Sequence, residues 1–501
     1  MNTPICDFVR EYAASGAARL HMPGHKGRGM SGSLAESAGI PLGMAARDGQ
    51  DPAAAEDYRE AFSRIASCDI TEISGADELF HPEGIIAESE RNASALFGCP
   101  TFYSTEGSSL CIRAMLYLCL LKSNRPEPHC KDQEDPQTAQ NRRVLAARNC
   151  HSSFLSAAVL LDLDVTWLFP EGSTALTLFL MAEDVREALS CSKEKPICVY
   201  ITTPDYLGHI LDVRTIAEVC HEFDVPLVVD NAHGAYLRFL EPSHHPMDLG
   251  ADLCCDSAHK TLPVLTGGAY LHTREEYKDM VKDAMVLFAS TSPSWLILQS
   301  LDAANEWLDQ DGAAAFARAA EDATSLRSDL CRFGFSCYGE EPLKITLVSG
   351  FSASGKELAE KLRKQGIEPE FSDPDTVVLM ISPSNTKDEL QLIRDTMQDI
   401  AYDLQASSME SLPPSSEGKL PDASMKGFPE AGSPEKRMTL RQAAMSPYEV
   451  IPADEAEGRV AALIPVSCPP AVPIVMPGEV IGAMQIRQMK YYGYTTCKVV
   501  L

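Results

Sequence analysis

Short apolar runs alternate with amphipathic stretches through the middle of the chain. Ile197–Thr202 (ICVYIT) and Pro226–Asp230 (PLVVD) are rich in β-branched residues, a pattern typical of buried parallel strands. Arg214–Phe223 lies between them and has helical spacing, so the three pieces predict one βαβ unit. Leu253–His259 and Gly267–Thr273 predict two further strands. The pattern therefore predicts an α/β domain built on parallel strands.

Two polar stretches interrupt this alternation. Lys122–Arg143 is polar and contains proline, which predicts a long surface loop. Gln405–Lys436 is rich in Ser, Pro, Gly and Glu and has almost no periodic apolar residues, as expected for a linker. An apolar pattern resumes after this second stretch, so the last part of the chain is predicted to form an element of its own.

Composition narrows the class of protein. The 501 residues carry a net charge of −28, which argues against a nucleic-acid partner because phosphate binding relies on clustered Lys and Arg. No stretch approaches the ~20 apolar residues of a membrane span, and the N-terminus lacks the apolar region of a signal peptide. The 16 cysteines are scattered, without metal-ligand or disulfide spacing. We therefore predict a soluble cytoplasmic protein with reduced thiols and no metal.

The strongest chemical signal is Lys260, within Asp256–Thr261 (DSAHKT) and close to a pair of glycines. A surface lysine after a strand is the ordinary alternative. Asp230 ends a predicted strand 30 residues earlier, and ligands of open α/β sheets bind at the carboxyl ends of strands. A carboxylate there suits a protonated ring nitrogen, although Asp230 could equally be a helix N-cap.

Two further motifs suit the same ligand. Thr105–Ser109 (TEGSS) precedes an apolar helical run, where free N–H groups, hydroxyls and the helix dipole favour a phosphate. His151 lies just past a strand-like VLAAR run and could stack on an aromatic ring. An ordinary N-cap and a structural histidine are the respective alternatives. A lysine, a carboxylate, a phosphate cup and a stacking histidine together are the groups that a pyridoxal phosphate site needs.

With these motifs the sequence resembles the fold-type I pyridoxal-phosphate-dependent Orn/Lys/Arg decarboxylases, in particular the short bacterial arginine/lysine decarboxylase-like group. The resemblance covers nearly the whole chain. The matching segments are Leu20–Gly27, Asp69–Gly84, Glu106–Ser109, Arg148–Ser153, Asp230–Gly234, Ser257–Ala269, Ser290–Ala304 and Glu455–Ile481. It implies a large domain like that of aspartate aminotransferase, with a mostly parallel sheet, plus a small α/β domain and a C-terminal decarboxylase domain.

The resemblance also implies a division of the chain. The expected parts are an N-terminal arm (1–50), a large cofactor domain (51–290), a small α/β domain (291–404), a flexible linker (405–440) and the C-terminal domain (441–501).

Residue roles follow from the same resemblance. Lys260 binds pyridoxal phosphate covalently, Asp230 keeps the pyridine nitrogen protonated, His151 stacks on the ring and His233 lies near the ring hydroxyl. The residues expected around the phosphate are Gly107, Ser108, Ser109, Ser257 and His259. Thr291 or Ser292 is expected to reach the partner subunit's phosphate, which implies a homodimer or a higher homo-oligomer with the site at the subunit interface.

Several positions depart from the family pattern. Asn231 replaces a common acidic residue, Ser152 replaces a lysine, and Glu106 replaces an asparagine and puts a carboxylate near a phosphate. Ile112 stands where asparagine is frequent, and Ser467–Ala471, which contains Cys468, replaces a Pro-Tyr-Pro-Pro-Gly run. The core cofactor residues are all present, so these departures bear on substrate choice and turnover.

The implied reaction is decarboxylation of arginine, lysine or ornithine to the corresponding amine, as in polyamine metabolism. Transamination or aldol-type cleavage on the same fold is one alternative, and a pyridoxal-phosphate-binding homologue with weak turnover is another. The PGE-containing C-terminal segment favours decarboxylation. Asp205, Glu83 and Glu479 are candidate partners for the substrate's distal cation, and an exposed, solvated carboxylate is the ordinary alternative for each.

Overall fold

The structure, a computed structural model, falls into two compact units. It describes residues 1–15, 64–124, 141–348, 353–408, 434–463 and 472–501. Unit 1 comprises Met1–Ala114 and Asp256–Asp311, and unit 2 comprises Met115–Cys255 and Gly312–Leu501. Several sequence features lie outside the described residues: most of the predicted N-terminal arm with the Leu20–Gly27 motif, the middle of the Lys122–Arg143 stretch, most of the predicted linker Gln405–Lys436, and Ser467–Ala471 with Cys468.

The helices and strands are numbered in chain order. The helices are α1 Pro4–Ala14, α2 Ile85–Phe97, α3 Gly107–Ser123, α4 Ser152–Leu161, α5 Ala182–Cys191, α6 Val213–Glu222, α7 Ala258–Thr261, α8 Val281–Val286, α9 Trp295–Trp307, α10 Ala313–Arg332, α11 Gly355–Lys364, α12 Lys387–Ser408, α13 Leu440–Met445 and α14 Ala483–Tyr491. The strands are β1 Thr101–Ser104, β2 Arg143–Ala147, β3 Asp164–Leu168, β4 Cys198–Thr202, β5 Leu227–Asp230, β6 Leu253–Asp256, β7 Ala269–Thr273, β8 Ser336–Tyr338, β9 Lys344–Val348, β10 Phe371–Ser372, β11 Thr376–Met380, β12 Tyr448–Pro452 and β13 Thr496–Val500.

A parallel sheet forms the centre of unit 2. Its strands lie in the order β6-β5-β4-β2-β3, and each neighbouring pair is parallel. All four residues of β5 are buried, as the continuous apolar run predicted. Helix α6 connects β4 to β5; Asp212 caps it by accepting a hydrogen bond from Thr215 N, and its apolar face is buried in the core. The predicted βαβ unit is confirmed to within one residue at each boundary.

The predicted strand Leu253–His259 is too long. Strand β6 ends at Asp256, and the next residues turn into the short helix α7, where Lys260 N donates to Ser257 O. All four residues of β6 are buried, whereas the residues that follow Asp256 leave the sheet. Lys260 therefore lies on a helical turn beyond the strand and not at the strand end.

Unit 1 holds the N-terminal helix through a buried carboxylate. Asp302 on α9 accepts hydrogen bonds from Ile5 N and Cys6 N, each 3.0 Å long, in the first turn of α1. These two N–H groups have no partner within the helix, so Asp302 caps α1 from a distant part of the chain. Strands β1 and β7 pair antiparallel in this unit, with Thr101 opposite His272.

Two smaller sheets complete unit 2. An antiparallel sheet in the order β10-β11-β9-β8 shares its apolar core with α10, α11 and α12. Strands β12 and β13 form an antiparallel pair near the C-terminus, with a separate core that includes residues of α14. Helix α12 runs to Ser408, so the first residues of the predicted linker are helical. The predicted five-part division of the chain stays a prediction.

The cysteines that the structure describes are all free thiols, most of them buried, including the adjacent pair Cys254 and Cys255. Cys191 and Cys331 are exposed. Among the described residues, no helix is both long enough and apolar enough to span a bilayer.

Candidate active site

In unit 1 the glycine-serine turn forms the start of a helix. Helix α3 begins at Gly107, so Gly107, Ser108 and Ser109 form its first turn, whereas the sequence placed them before it. Gly107 has φ +69°, and a Cβ there would meet no atom within 4 Å, so space is open beside the turn. Its N–H donates to Gly267 O at 2.7 Å. A helix start lined with hydroxyls suits an anion such as a phosphate.

Ser257 connects this turn to the lysine segment. Its hydroxyl donates to Ser108 Oγ at 2.7 Å, and Ser257 itself is buried. Three residues later, on α7, the side chain of Lys260 is exposed. Unit 1 therefore places the predicted phosphate ligands and the predicted cofactor lysine on adjoining segments.

His259 precedes the lysine and is held by the glycine pair. Its Nδ1 donates to Gly268 O at 2.9 Å, and its backbone N–H donates to the same oxygen at 3.1 Å. Burial lowers the pKa of His259, and the nearby Lys260 cation acts in the same direction. The imidazole is therefore neutral near pH 7.

Glu106 is occupied by a backbone group. Its carboxylate accepts a hydrogen bond from Ser290 N at 2.7 Å. Thr291 and Ser292 follow directly, and both are exposed. Glu106, directly before the Gly107 turn, therefore binds the segment that contains Thr291 and Ser292, the predicted inter-subunit hydroxyls.

In unit 2 Asp230 is buried at the carboxyl end of β5, with 2% of its surface exposed. Tyr200 OH donates to its Oδ2 at 3.1 Å, Ala232 N donates to Oδ1 at 3.2 Å, and Cys255 Sγ lies 3.8 Å from Oδ1. Burial, and secondly the charge of Asp230, raise the pKa of Tyr200 well above its ordinary value. Tyr200 therefore keeps its proton and remains a hydrogen-bond donor to Asp230.

His151 caps helix α4. Its Nδ1 accepts a hydrogen bond from Ser153 N at 3.1 Å and lies 2.8 Å from the Ser153 hydroxyl, which fixes the orientation of the ring. Ser152, which replaces the family lysine, is the first residue of the helix. The prediction that His151 follows a strand is confirmed, since β2 ends at Ala147.

His233 and Asn231 lie in the loop after β5. His233 is 6% exposed and contacts Tyr206 edge-on, with ring centroids 5.2 Å apart. Asn231 is fully buried, and its side chain lies so close to Gly234 that a Cβ there would be 2.0 Å from Asn231 Oδ1. A side chain at position 234 would require Asn231 to move, so Asn231 and Gly234 shape this loop together.

The three candidates for the distal cation differ in environment. Glu83 is exposed, as the ordinary alternative predicted. Asp205 and Glu479 are 2% and 3% exposed, so that alternative is wrong for both. Asp205 accepts hydrogen bonds from Leu207 N and His209 N, and Glu479 forms an ion pair with Arg148. Glu479 is excluded from water by a partner 331 positions away, which local sequence does not reveal, whereas Asp205 is bonded within its own loop.

The donor sets fit pyridoxal phosphate chemically. Unit 1 offers a helix start with hydroxyls for a phosphate and a primary amine for an aldehyde. Unit 2 offers the buried carboxylate of Asp230 for a protonated pyridine nitrogen, and a fixed imidazole at His151. Each unit thus contains a coherent part of the predicted set.

Family comparisons agree with this chemistry. The model of the Orn/Lys/Arg decarboxylase major domain matches residues 134–344, and that of the C-terminal domain of the same family matches residues 424–496. Together they cover more than half of the chain. The chain belongs to the Orn/Lys/Arg decarboxylase family. The resemblance drawn from the motifs is therefore confirmed.

Individual relatives of this Orn/Lys/Arg decarboxylase family member span almost its full length. Arginine decarboxylase of Bacillus subtilis (strain 168) is 28% identical over 503 residues, 96% of this chain and 91% of the relative. Arginine decarboxylase of Halalkalibacterium halodurans is also 28% identical, over 97% of this chain and 93% of the relative. The lysine decarboxylase LdcF structure from Francisella novicida has a TM-score of 0.75 at 17% identity, covering 100% of this chain and 81% of that chain. This likeness confirms the predicted fold.

Sequence reasoning missed three contacts of predicted site residues or of their segments in this decarboxylase-family chain. Tyr200 binds Asp230, Glu106 binds Ser290 N, and Arg148 binds Glu479. For Tyr200 a signal was available, because an aromatic hydroxyl in a buried strand requires a polar partner. The pairing of Arg148 with a residue 331 positions away has no local signal.

Proposed function

We propose that this chain uses pyridoxal phosphate to decarboxylate a basic amino acid, either arginine, lysine or ornithine. The observation that carries the proposal is Asp230, a buried carboxylate at the carboxyl end of β5. Tyr200, which stays protonated, donates a hydrogen bond to it and holds it in place. Such a carboxylate raises the pKa of a ring nitrogen beside it. Membership of the Orn/Lys/Arg decarboxylase family supports the reaction class.

When bound, pyridoxal phosphate supplies an electron sink for the pair that is released when the Cα–carboxylate bond breaks. The residues of the chain bind and orient. Lys260 Nζ would hold the cofactor; once the substrate amine has displaced it, the released ammonium group, or a histidine as the alternative, would supply the proton that Cα needs in place of the lost carboxylate. Asp230 would keep the ring nitrogen protonated, His151 would stack on the ring, and His233 would lie near the ring hydroxyl.

The phosphate is assigned to the turn at the start of α3. Gly107, whose N–H is bonded to Gly267 O, leaves space beside the turn for the phosphate. Ser108 and Ser109 supply hydroxyls and first-turn N–H groups, and Ser257, bonded to Ser108, supports them. His259 supports this turn indirectly: its Nδ1 donates to Gly268 O, and the neighbouring Gly267 O accepts a hydrogen bond from Gly107 N. The Glu106 carboxylate is engaged by Ser290 N, which limits its repulsion of a phosphate.

The test is a three-substrate assay. Purified protein with pyridoxal phosphate is incubated with arginine, lysine and ornithine in turn, and amine and carbon dioxide are measured. We expect both products from one of the three, and neither product from the Lys260→Ala variant. Absence of amine and carbon dioxide with all three would overturn the proposal. Formation of a keto acid would favour transamination instead.

We further propose a homodimer in which Thr291 or Ser292 serves the phosphate of the partner subunit. The exposure of both hydroxyls and the anchoring of their segment by Glu106 support this. A complementation experiment tests it: a Lys260→Ala chain is co-expressed with a chain that carries Thr291→Ala and Ser292→Ala. In mixed dimers both lesions fall in one site and the other site is intact. Activity above that of both parents is expected; no gain would contradict the shared site.

A further inference from the structure

A buried ion pair joins two distant segments of unit 2. Arg148 and Glu479 are 331 positions apart, yet Nη1 donates to Oε1 at 2.6 Å and Nη2 donates to Oε2 at 2.7 Å. Their side chains are only 8% and 4% exposed. This two-point geometry fixes orientation as well as distance, since a planar guanidinium matches a carboxylate in one arrangement.

The turn that carries Glu479 is itself rigid. Met476 N donates to Glu479 Oε2 at 2.8 Å, and Arg148 Nη2 also donates to Ile474 O at 3.4 Å. Gly478 has φ +88°, and a Cβ there would lie 2.4 Å from Met438 O, so only glycine allows this path. Both carboxylate oxygens are therefore engaged, which removes Glu479 as a partner for a substrate cation.

On the other side of the pair, Arg148 lies shortly before His151 in the sequence. Its backbone N–H donates to Leu168 O at 3.1 Å, and its guanidinium lies 5.9 Å from the Trp167 ring centroid. Asn149 and Cys150 follow and are buried, and His151 then caps α4. Arg148 and His151 are fixed at the two ends of this segment, so the position of Arg148 determines the position of the His151 imidazole.

The C-terminal segment contacts the same helix at its far end. Arg441 of α13 donates to Leu160 O at 3.1 Å, in the last turn of α4, whereas the Arg148 pair lies before its first turn. Arg441 therefore offers a matched control, since it joins the same two parts of the chain away from His151.

We propose that Arg148 and Glu479 are a positioning pair through which the C-terminal segment sets the place of His151 against the cofactor ring. The inference rests on the proposed function, because it takes pyridoxal phosphate as the ligand of His151. Burying two charges is costly unless the geometry is fixed, and a pair of this kind specifies one arrangement of the segments that it joins. It acts through His151 and touches no reacting atom.

The first measurement is cofactor affinity of the full-length protein, obtained by titrating pyridoxal phosphate into the apo form. Glu479→Gln is expected to raise the apparent Kd by about tenfold or more and to weaken the visible circular dichroism of the bound cofactor. A lone buried Arg148 can prevent folding, so the paired variant Arg148→Met with Glu479→Gln is read alongside it. Arg441→Ala is expected to change the Kd by less than about threefold.

The deciding measurement is a double-mutant cycle. If the pair acts through His151, then Glu479→Gln in a His151→Ala background changes the Kd by less than about twofold. An equal factor in both backgrounds, or an equal effect of Arg441→Ala, would overturn the inference. Glu479→Asp keeps both charges and is expected to shift the Kd in the same direction by a smaller factor. It replaces the other variants in the cycle if they do not fold.

These readouts separate the inference from the proposed function. Cofactor titration needs no turnover, so a protein that binds pyridoxal phosphate but forms no amine disproves the decarboxylase proposal while the cycle still decides on the pair. Where amine is formed, the pair predicts a fall in kcat with the KM for the amino acid changed by less than about threefold.

Discussion

Two buried carboxylates at the ends of neighbouring parallel strands have different surroundings. Asp230 ends β5, and Asp205 follows β4, whose last residue, Thr202, lies opposite Asp230 in the sheet. Each is 2% exposed. Position and burial alone would therefore give both the same standing as candidates for chemistry.

Their hydrogen-bond partners separate them. Asp205 Oδ1 accepts from Leu207 N and His209 N, both at 2.9 Å, so it closes its own loop. Asp230 is held by Tyr200 from another strand and by Ala232 N. Burial raises the pKa of Asp205 to about 6, although the His209 N–H bond and the Lys344 cation act in the opposite direction. Asp205 is thus bonded within its own loop, whereas Asp230 is held in addition by a donor from another strand, which makes Asp230 the better candidate for chemistry.

The largest effect is expected from Asp230→Asn. The amide keeps the shape but cannot stabilise a protonated ring nitrogen, so kcat for amine formation should fall by about 100-fold or more. The measurement is steady-state amine release, with a thermal melt to confirm folding. Asp205→Asn is the matched control and should change kcat by less than about threefold. Equal losses in the two variants would break the comparison.

A second difference concerns stability against pH. Because the folded-state pKa of Asp205 lies above its ordinary 3.8, its favourable contribution is complete below about pH 4 and is lost as the pH rises through about 6. The loss is on the order of 3 kcal/mol of unfolding free energy. Asp205→Asn removes this titration, so the variant should gain on the wild type between pH 4 and pH 7. Urea denaturation across that range measures it, and parallel curves for the two proteins would contradict the assignment.

The smallest effect is expected from Tyr200→Phe, which removes one hydrogen bond from Asp230 and leaves the carboxylate in place. The loss should be about 1.5 kcal/mol, or roughly tenfold in kcat, at the lower end for a hydrogen bond to a charged group. Tyr270→Phe is the matched control, since Tyr270 OH donates to Asn305 Oδ1 at 2.9 Å and is equally buried. It should lower the melting temperature without changing kcat. If Tyr200→Phe lowered the melting temperature without changing kcat, Tyr200 would act only on stability.

The sequence predicted the elements whose signals are local. Strands β4 and β5 and helix α6 were found to within a residue because each carries its own apolar pattern. The predicted strand at β6 is longer than the observed one because the small residues after Asp256 do not mark where the sheet ends. Gly107–Ser109 were placed before α3 because glycine and serine are typical of caps, whereas here they form the first turn.

Within the candidate site, residue types were predictable and partners were not. Motif chemistry identifies Lys260, Asp230 and His151 as candidates, and the roles assigned to them stay predictions. The burial of Glu479 was missed because it depends on Arg148, a partner far away in the chain. Asp205 is bonded within its own loop, and the distant contact there is Lys344 Nζ, which donates to its backbone oxygen. Contacts of that separation arise from packing of the whole unit, which local patterns do not encode.

The buried thiols give unit 2 a built-in chemical reporter. Cys255 is inaccessible and its sulfur lies 3.8 Å from Asp230 Oδ1, whereas Cys191 and Cys331 face solvent. A thiol reagent reacts with the exposed cysteines at once but reaches Cys255 only when the sheet opens. The rate at which Cys255 is alkylated therefore records how often the surroundings of Asp230 are breached in the native protein.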